Sequence, residues 1–573
     1  MLQLKRKLWK STLFIVVIFL IVCVGLLVKI YEVKVGSFTT KELSKRASGK
    51  NSISESTIKF SDPILEQEIR RKIGKITGEI YKTDVEGITV LEIPIDDISN
   101  LNGIENLTNL TELNLTYNKI RDISVLGYLT NLKKLDLSGN HIEDISPLKN
   151  LVNLTELNLS RCYAVEDINI SVLGNLTNLN KLNLYGNEMS DISPLSNLTN
   201  LTQLSLFYGV NDISPLSKLN NLTKLFLYGT EKINLNSISS LTNLTELFLY
   251  DIGDMDISSL SELTHLTRLA LIANLEDDIS YLNDISVLKN LTNLTQLSLR
   301  YTEVSDISVL KNLTNLAVLE LYSNKISDLS PLSNLTNLVE LYLWDNKVSD
   351  ISPLRNLTNL TVLELDSNKV SDLKPLSNLT NLTDLSLLCK KISDISFLKN
   401  LINLTVLEFS RCHTLEDINA LSNLTNLTEL HLYNNKISDL SSLKNLTNLT
   451  ILSLDHNKIT DINVLSNLNN LNKLSLSGNE INDINPLKNL INLNVLDLER
   501  NKITDIRDLS NLTNLTNLRL EYNQISDISP LEKLNKLTVL FLSENPITDY
   551  SPTAEYYENL RNKDFELNTN DSM

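Results

Sequence analysis

Five histidines (His141, His265, His413, His431, His456) and four cysteines (Cys23, Cys162, Cys389, Cys412) are the side chains of this chain best suited to hold a metal or attack a substrate. A zinc site needs three or four such ligands around one point, and a nucleophilic cysteine needs a histidine within hydrogen-bond reach. Here they are scattered. Only His431 and His456 fall in adjacent copies of the unit described below, and one pair makes no metal site. Cys162 and Cys412 lie eleven copies apart, about 50 Å at the spacing of stacked strands, so they cannot pair. By their places in the repeat Cys389 is expected to face outward and Cys412 inward, so no disulfide between them is expected. No Walker loop, G-x-S-x-G or H-E-x-x-H occurs, and the carboxylates are dispersed. The residues predict no catalytic site, no cofactor and no metal: this chain is not expected to be an enzyme.

The remaining chemistry is that of recognition. Tyr185, then Phe207 and Tyr208, then Phe226 and Tyr228, then Phe248 and Tyr250 recur with a step close to 22 residues. Tyr322, Tyr342 and Trp344 follow, accompanied by Glu320, Glu340, Glu364 and Asp366, and further along by Asp345, Asp384 and Glu408, with only Arg411 opposing them. Tyr and Trp give large contact area at low entropic cost, and an exposed aromatic patch marks a protein interface. An acidic strip beside it would steer a basic segment of a partner. Aromatic residues also stabilise sheets by pairing across strands, which is the plainer reading of the same rings.

Those spacings depend on the repeat that carries them. From Leu110 the pattern L-x-x-L-x-L-x-x-N-x-I-x-D-I-x-x-L-x-x-L-x-x returns twenty times, ending with the copy that begins at Leu537, and Ile88 opens a degenerate further one. The L-x-L centre alternates with period two, so it predicts a short strand with its leucines inward and positions 3, 5, 7 and 8 of each unit outward. Fifteen of the chain's aromatic residues stand at those outward positions. Asn118, Asn140 and Asn187 have side chains able to satisfy backbone groups that a buried turn would orphan. Asp122 and Asp144 stand where they can cap a short helical turn on the other side. No unit can bury its leucines alone, so neighbours must stack into one core. The expected fold is an α/β repeat solenoid: a curved rod with a parallel concave β-sheet, short helical or 3-10 turns on the convex side, and a helical N-terminal cap. The copy from Leu201 is one residue short, the copy from Leu266 is six residues longer than the 22-residue unit, and Gly209, Thr230 and Ile252 replace the ladder asparagine, all within the aromatic stretch. Departures from a repeat are expected where function overrides structure.

The unit, with N-K-I-S-D-I-S-P-L at its centre and D-P-x-L-x-x-x-I-R-x-x-I-G-K before the first copy, resembles the internalins, bacterial leucine-rich-repeat surface proteins. The resemblance spans roughly residues 60 to 560 and implies a protein-binding role for the concave face, with adhesion to a host or cell surface as one form of it. Neither an immunoglobulin-like segment nor an L-P-x-T-G motif follows the repeats, so attachment is expected through the N-terminus. Two alternatives stay open: an intracellular scaffold, since phosphatase-associated repeat proteins use a similar unit, and a glycan-binding or structural protein of the envelope.

Lys5, Arg6, Lys7 and Lys10 precede an apolar run from Leu13 to Val28. With Ser11 and Thr12 the uncharged stretch spans roughly 27 Å as a helix, enough to cross a hydrocarbon core. No small-x-small cleavage site follows it, and Cys23 stands after Val22 rather than after a small residue, so an uncleaved anchor is expected. Basic residues stay in the cytoplasm, which puts the repeats outside the cell membrane, or free outside if the segment is cleaved. The expected organisation is a cytoplasmic basic tail at 1–10, a transmembrane signal anchor at 11–30, a flexible linker at 31–59, a helical cap at 60–87, repeats over 88–545, and a C-terminal cap and tail at 546–573. Tyr556, Leu560 and Phe565 are the residues expected to close the far end.

The formal charge of −17 is that of an acidic surface without the Lys/Arg stripe that phosphate binding needs, so nucleic acid is not an expected partner and a basic protein is. The chain is read as a monomer. Its many N-L-T triplets, glycosylation acceptors in a eukaryotic secretory route, are expected to be by-products of the repeat, which favours a bacterial chain.

Overall fold

The computed structural model describes residues 56–162, 169–207, 209–230, 233–273, 282, 284–388 and 392–567. The chain divides into two units, Met1–Ser56 and Thr57–Met573, and the fold described below is that of the second. The basic tail at 1–10, the anchor at 11–30 and the linker up to residue 55 lie outside the described residues. So do Tyr208 and Cys389.

The linker expected to reach residue 59 ends sooner. Thr57–Ile58 (β1) pairs antiparallel with Ile80–Tyr81 (β2), because Ile58 and Phe60 are apolar and find cover in the core. Between them Pro63–Ile73 (α1) begins as its residues dictate: proline has no N–H to lose in the first turn, and Asp62 accepts hydrogen bonds from the Ile64 and Leu65 amides. The other oxygen of Asp62 accepts from the Ser99 and Asn100 amides, tying the helix start to the first repeat. Leu65 and Ile69 are fully buried, while Ile64 and Ile73 pack at the edge of the same core. A short helix, Lys82–Val85 (α2), leads into the repeats.

Val90–Glu92 (β3) opens a parallel sheet of twenty-two strands among the described residues, each paired with the next in sequence. The ladder is open: the first strand pairs with Glu112–Asn114, the last, Asn562–Lys563, with Val539–Phe541, and the two ends are not joined. In every unit the two inward strand residues are buried; they are leucines, as Leu113 and Leu115 are, except Ile93 in the first unit and Phe409 in the unit from Leu404. Leucines and isoleucines of all units join one continuous core, closed at its far end by Tyr556, Leu560 and Phe565. The Tyr556 hydroxyl donates to the Leu531 carbonyl at 3.0 Å.

Three sets of polar side chains position the strands. The buried asparagine works as expected: Asn140 Nδ2 donates to the Leu115 carbonyl of the preceding unit and to its own Leu137 carbonyl, both at 2.9 Å, while its Oδ1 accepts from the Ile120 amide at 3.0 Å. In most units the aspartate two residues before the 3-10 turn accepts the first amide of that turn, as Asp122 does from Ser124 and Asp144 from Ser146, both at 2.8 Å, and Asn169 does the same for Ser171. A second asparagine ladder runs along an exposed edge: Asn131 donates to the Thr108 carbonyl, Asn153 to Thr130 and Asn200 to Thr177. Where His265 replaces that asparagine its Nδ1 takes the same place, 3.0 Å from the Thr242 carbonyl. Asn153 and Asn200 are asparagines of N-L-T triplets, so those triplets are structural.

Candidate functional site

Strand length varies along the sheet, and the ladder residue accounts for much of the variation. A typical unit has a three-residue strand, such as Lys134–Asp136, before the buried asparagine turns the chain inward. Around Gly209, Thr230, Ile252 and Thr302 the strands lengthen to Gln203–Leu206, Lys224–Tyr228, Glu246–Ile252, Arg268–Ala273 and Gln296–Arg300. Thr230 and Ile252 have no amide with which to bridge three backbone groups, so the main chain answers with its own partners. Tyr228, Tyr250, Ile272 and Arg300 stand in continuous parallel register, and the Thr230 amide donates to the Tyr250 carbonyl. Cys162 is informative by contrast. Its thiol donates to the Leu137 carbonyl of the preceding unit, as an asparagine would, and its strand, Glu156–Asn158, stays short. Burial pushes that thiol up to about 12, so it stays protonated at neutral pH.

The extended register holds the aromatic side chains as rungs. Phe226 and Phe248 stack with centroids 4.5 Å apart and planes 4° from parallel, and Tyr228 and Tyr250 stack at 4.2 Å with the same angle. That separation is close to the distance between neighbouring strands. Tyr185 meets Phe207 edge-on at 4.9 Å and reaches Tyr228 at 4.6 Å. All six rings are half-buried, because each covers part of the next. Burial holds the Tyr228 and Tyr250 hydroxyls protonated well above the ordinary tyrosine range.

Three arginines that the spacing pattern does not single out edge this group. Arg161 lies 5.5 Å from the Tyr185 ring, Arg268 lies 5.3 Å from Phe248, and Arg300 lies 4.8 Å from Tyr322. Their signal was available, since all three occupy outward positions of their units. Beside the rings, Lys224 and Arg268 both pair with Glu246.

A second group follows. Tyr322 packs edge-on against Tyr301, Tyr342 and Trp344 with centroids 6.1, 6.5 and 6.1 Å away. The acidic strip around it differs from the expected row of open carboxylates in two places. Arg411 is not its only cation: Arg300, from the preceding unit, forms an ion pair with Glu320 through Nε at 2.7 Å and through Nη2. Asp366 is buried, with its carboxylate accepting from the Ser386 hydroxyl and from the Leu388 amide at 2.8 Å, so it closes a strand end instead of meeting solvent. Glu340 accepts from the Tyr342 hydroxyl at 2.9 Å and Glu408 from Tyr433 at 3.0 Å. Glu364 stands half-buried in register with Tyr342 and Ser386.

A family model for leucine-rich repeats matches the chain over residues 130–175, 177–218, 292–400, 425–467, 469–511 and 513–555, more than half its length. The chain belongs to the leucine-rich-repeat family. A second leucine-rich-repeat model matches residues 102–142. Among solved structures, the repeats resemble a plant peptide hormone receptor in complex with the peptide RGF2, at 21% identity over 85% of this chain and 90% of that one, with a TM-score of 0.51. They also resemble the ectodomain of the membrane receptor kinase GASSHO1/SCHENGEN3 from Arabidopsis thaliana, at 22% identity over 85% and 68% of the two chains and a TM-score of 0.52. An internalin from Listeria monocytogenes aligns at 26% identity over 89% and 96%, with a TM-score of 0.26. No curated protein matches the chain in sequence. These likenesses concern the leucine-rich-repeat fold. Among the described residues no helix is long and apolar enough to cross a membrane.

Proposed function

We propose that this leucine-rich-repeat chain is a binding protein that recognises a protein partner through the outward, concave face of its sheet. The contact lies in the units from Leu179 to Leu360. One observation carries the reading: Phe226 with Phe248, and Tyr228 with Tyr250, form two side-by-side ring stacks on neighbouring strands of one face. Such a surface offers apolar area and hydroxyls already held in place, so little side-chain entropy is lost on binding. Glu340, Glu364 and Glu408 extend the face with negative charge and suit a basic segment of the partner. The similar plant peptide hormone receptor, solved in complex with RGF2, supports a peptide or protein ligand.

The proposal includes export with the segment at 11–30 as an uncleaved anchor, a cap over 60–87 and a surface role like that of an internalin. Protease added to intact cells should then remove the repeat domain, and full protection would sink the exported reading. The binding face is tested by capture on the full chain beside a variant carrying Phe226→Ala, Tyr228→Ala and Tyr250→Ala. The expected result is loss of the captured protein while the leucine-rich-repeat array keeps its circular-dichroism spectrum. Undiminished capture would remove the aromatic face from the site.

A further inference from the structure

Beyond the acidic strip the same outward face changes character. The units from Leu449 and Leu471 carry Ser453, Ser475 and Ser477 at outward positions where their neighbours carry His431 and Tyr433 on one side and Asp497, Glu499 and Arg519 on the other. In register, Ser453 pairs with Ser475 and Ser475 with Asp497, so the short side chains are contiguous. Missing volume between long side chains leaves a concavity of about 370 Å³, walled by Tyr433, Asp455, Asp497 and the three serines.

The two carboxylates of this concavity differ in how they are held. Asp455 is fixed by three donors: the Ser453 hydroxyl at 2.7 Å, the Ser477 amide at 3.0 Å and the Ser475 hydroxyl. Asp497 accepts the Glu499 amide at 3.0 Å through Oδ1, whereas its Oδ2 has Arg519 Nε only at 3.8 Å. Arg519 is committed elsewhere, to Glu499 at 3.0 Å and Glu521 at 2.8 Å. Carboxylates outnumber the cations among them: Asp455, Asp497, Glu499 and Glu521 stand against Arg519, and against Arg500, which pairs outward with Glu499 while stacking on Tyr522. Arg519 Nε and Glu521 Oε2 are both buried without a hydrogen-bond partner, so the one arginine does not satisfy the group. Among the described residues no three His, Cys, Asp or Glu side chains converge closely enough to hold a metal ion. The deficit suits an organic cation, whose charge is spread over several N–H donors.

We propose that this concavity binds the cationic end of a lysine or arginine side chain. Asp497 is the principal acceptor, Asp455 is the fixed second one, and the serine hydroxyls and Tyr433 form the walls. The site is separate from the aromatic face and does not rest on it. Burial, aided by Asp455 and Glu499 and opposed by the Glu499 amide and Arg519, pushes the Asp497 carboxyl up to about 6. The other charged or titratable groups around it are Lys473, His456, Arg500 and Glu521. A cation binds the ionised carboxylate, so affinity is held above pH 6 and falls as the pH drops through that value and Asp497 takes up a proton.

The test is calorimetric titration of the full chain with tetralysine. One saturable site is expected, weakened about ten-fold by Asp497→Asn and by the cavity-filling Ser475→Leu, since each removes either the acceptor or the space. Asp505→Asn, which removes an equal charge from an exposed aspartate paired with Arg507, should leave it within about two-fold. Affinity should fall several-fold between pH 7.5 and 5, and Asp497→Asn should abolish that dependence. Equal binding by the parent, Asp497→Asn and Ser475→Leu proteins would reduce the effect to diffuse attraction and overturn the site. Binding of maltotriose, lost in Ser475→Leu while tetralysine binding is unchanged, would make it a polyol site instead. Absence of any saturable tetralysine binding overturns it outright.

Discussion

The units from Leu201 to Leu294 and those from Leu427 to Leu537 are built on one pattern and held together differently. In the later group Asn435, Asn457, Asn479, Asn501, Asn523 and Asn545 each bridge two units, and the strands stop after three residues. In the earlier group the bridging amide is lost at Gly209, Thr230 and Ile252, and main-chain pairing runs on for up to seven residues. The comparison teaches that the repeat has two ways to satisfy the same backbone groups. A side-chain ladder keeps the strand short, as in the units of Asn324 and Asn346, whose Tyr322, Tyr342 and Trp344 meet edge-on instead of stacking. A main-chain ladder widens the outward face and lets large rings stand in register.

The comparison breaks most readily at the ladder. Asn501→Ala removes donors to the Leu476 and Leu498 carbonyls and the acceptor of the Ile481 amide. Several buried groups lose their partner, so a cost of about 3 kcal/mol is expected, seen as a lower midpoint in urea unfolding. Ile252→Asn, which restores the consensus residue in the earlier group, should destabilise as well, because the carbonyls there already have partners and Ile252 is buried in the core. A gain in stability from Ile252→Asn would mean that the main-chain ladder does not replace the asparagine.

A smaller effect sharpens the boundary between the two aromatic groups. Arg300→Ala removes the partner of Glu320 and the cation over Tyr322. Both ion-pair partners are mostly shielded, so a loss of about 2 kcal/mol is expected, discounted from a fully buried pair. Glu320→Gln added to Arg300→Ala should recover part of it, since no unpaired charge then remains. Failure to recover would assign the loss to ring packing.

The smallest effect should be common to both regions. Asp256 and Asp284 in the earlier group, and Asp527 in the later one, have carboxyls held below the ordinary range by the amide of the serine two residues on. A depressed folded value means that the stability each adds is present above the unfolded value, about 3.9, and is lost as pH falls through the folded one. Asp497 runs the other way, since its raised value adds stability as pH falls through about 6 and loses it as pH rises. Hydrogen exchange followed from pH 7 to 3 should therefore show both regions loosening together only below about pH 4. Loosening confined to one region would show that the turn caps are not equivalent.

Much of the fold was legible because each job falls to one residue type at one spacing. Leu113, Asn140, Asp144 and Tyr556 do what their types and positions imply. The exposed asparagine ladder is not legible in the sequence, because Asn153 and Asn200 sit inside N-L-T triplets that look like a by-product until the Thr130 and Thr177 carbonyls are placed opposite them. In the candidate face, the clustering of Phe226, Tyr228, Phe248 and Tyr250 could be counted from the repeat. The engagement of Glu320 by Arg300, twenty residues away in sequence, could not be, nor could the burial of Asp366.

Taken alone, the sequence determined the leucine-rich-repeat architecture, the inward and outward assignment of nearly every strand residue and the stacking order, because periodicity is a local property that each unit repeats. Tertiary structure alone decided which outward side chains are exposed, paired or shielded, and where short residues leave a concavity. Those outcomes depend on neighbours contributed by adjacent units, and on whether a side chain or the main chain satisfies the buried carbonyls between them.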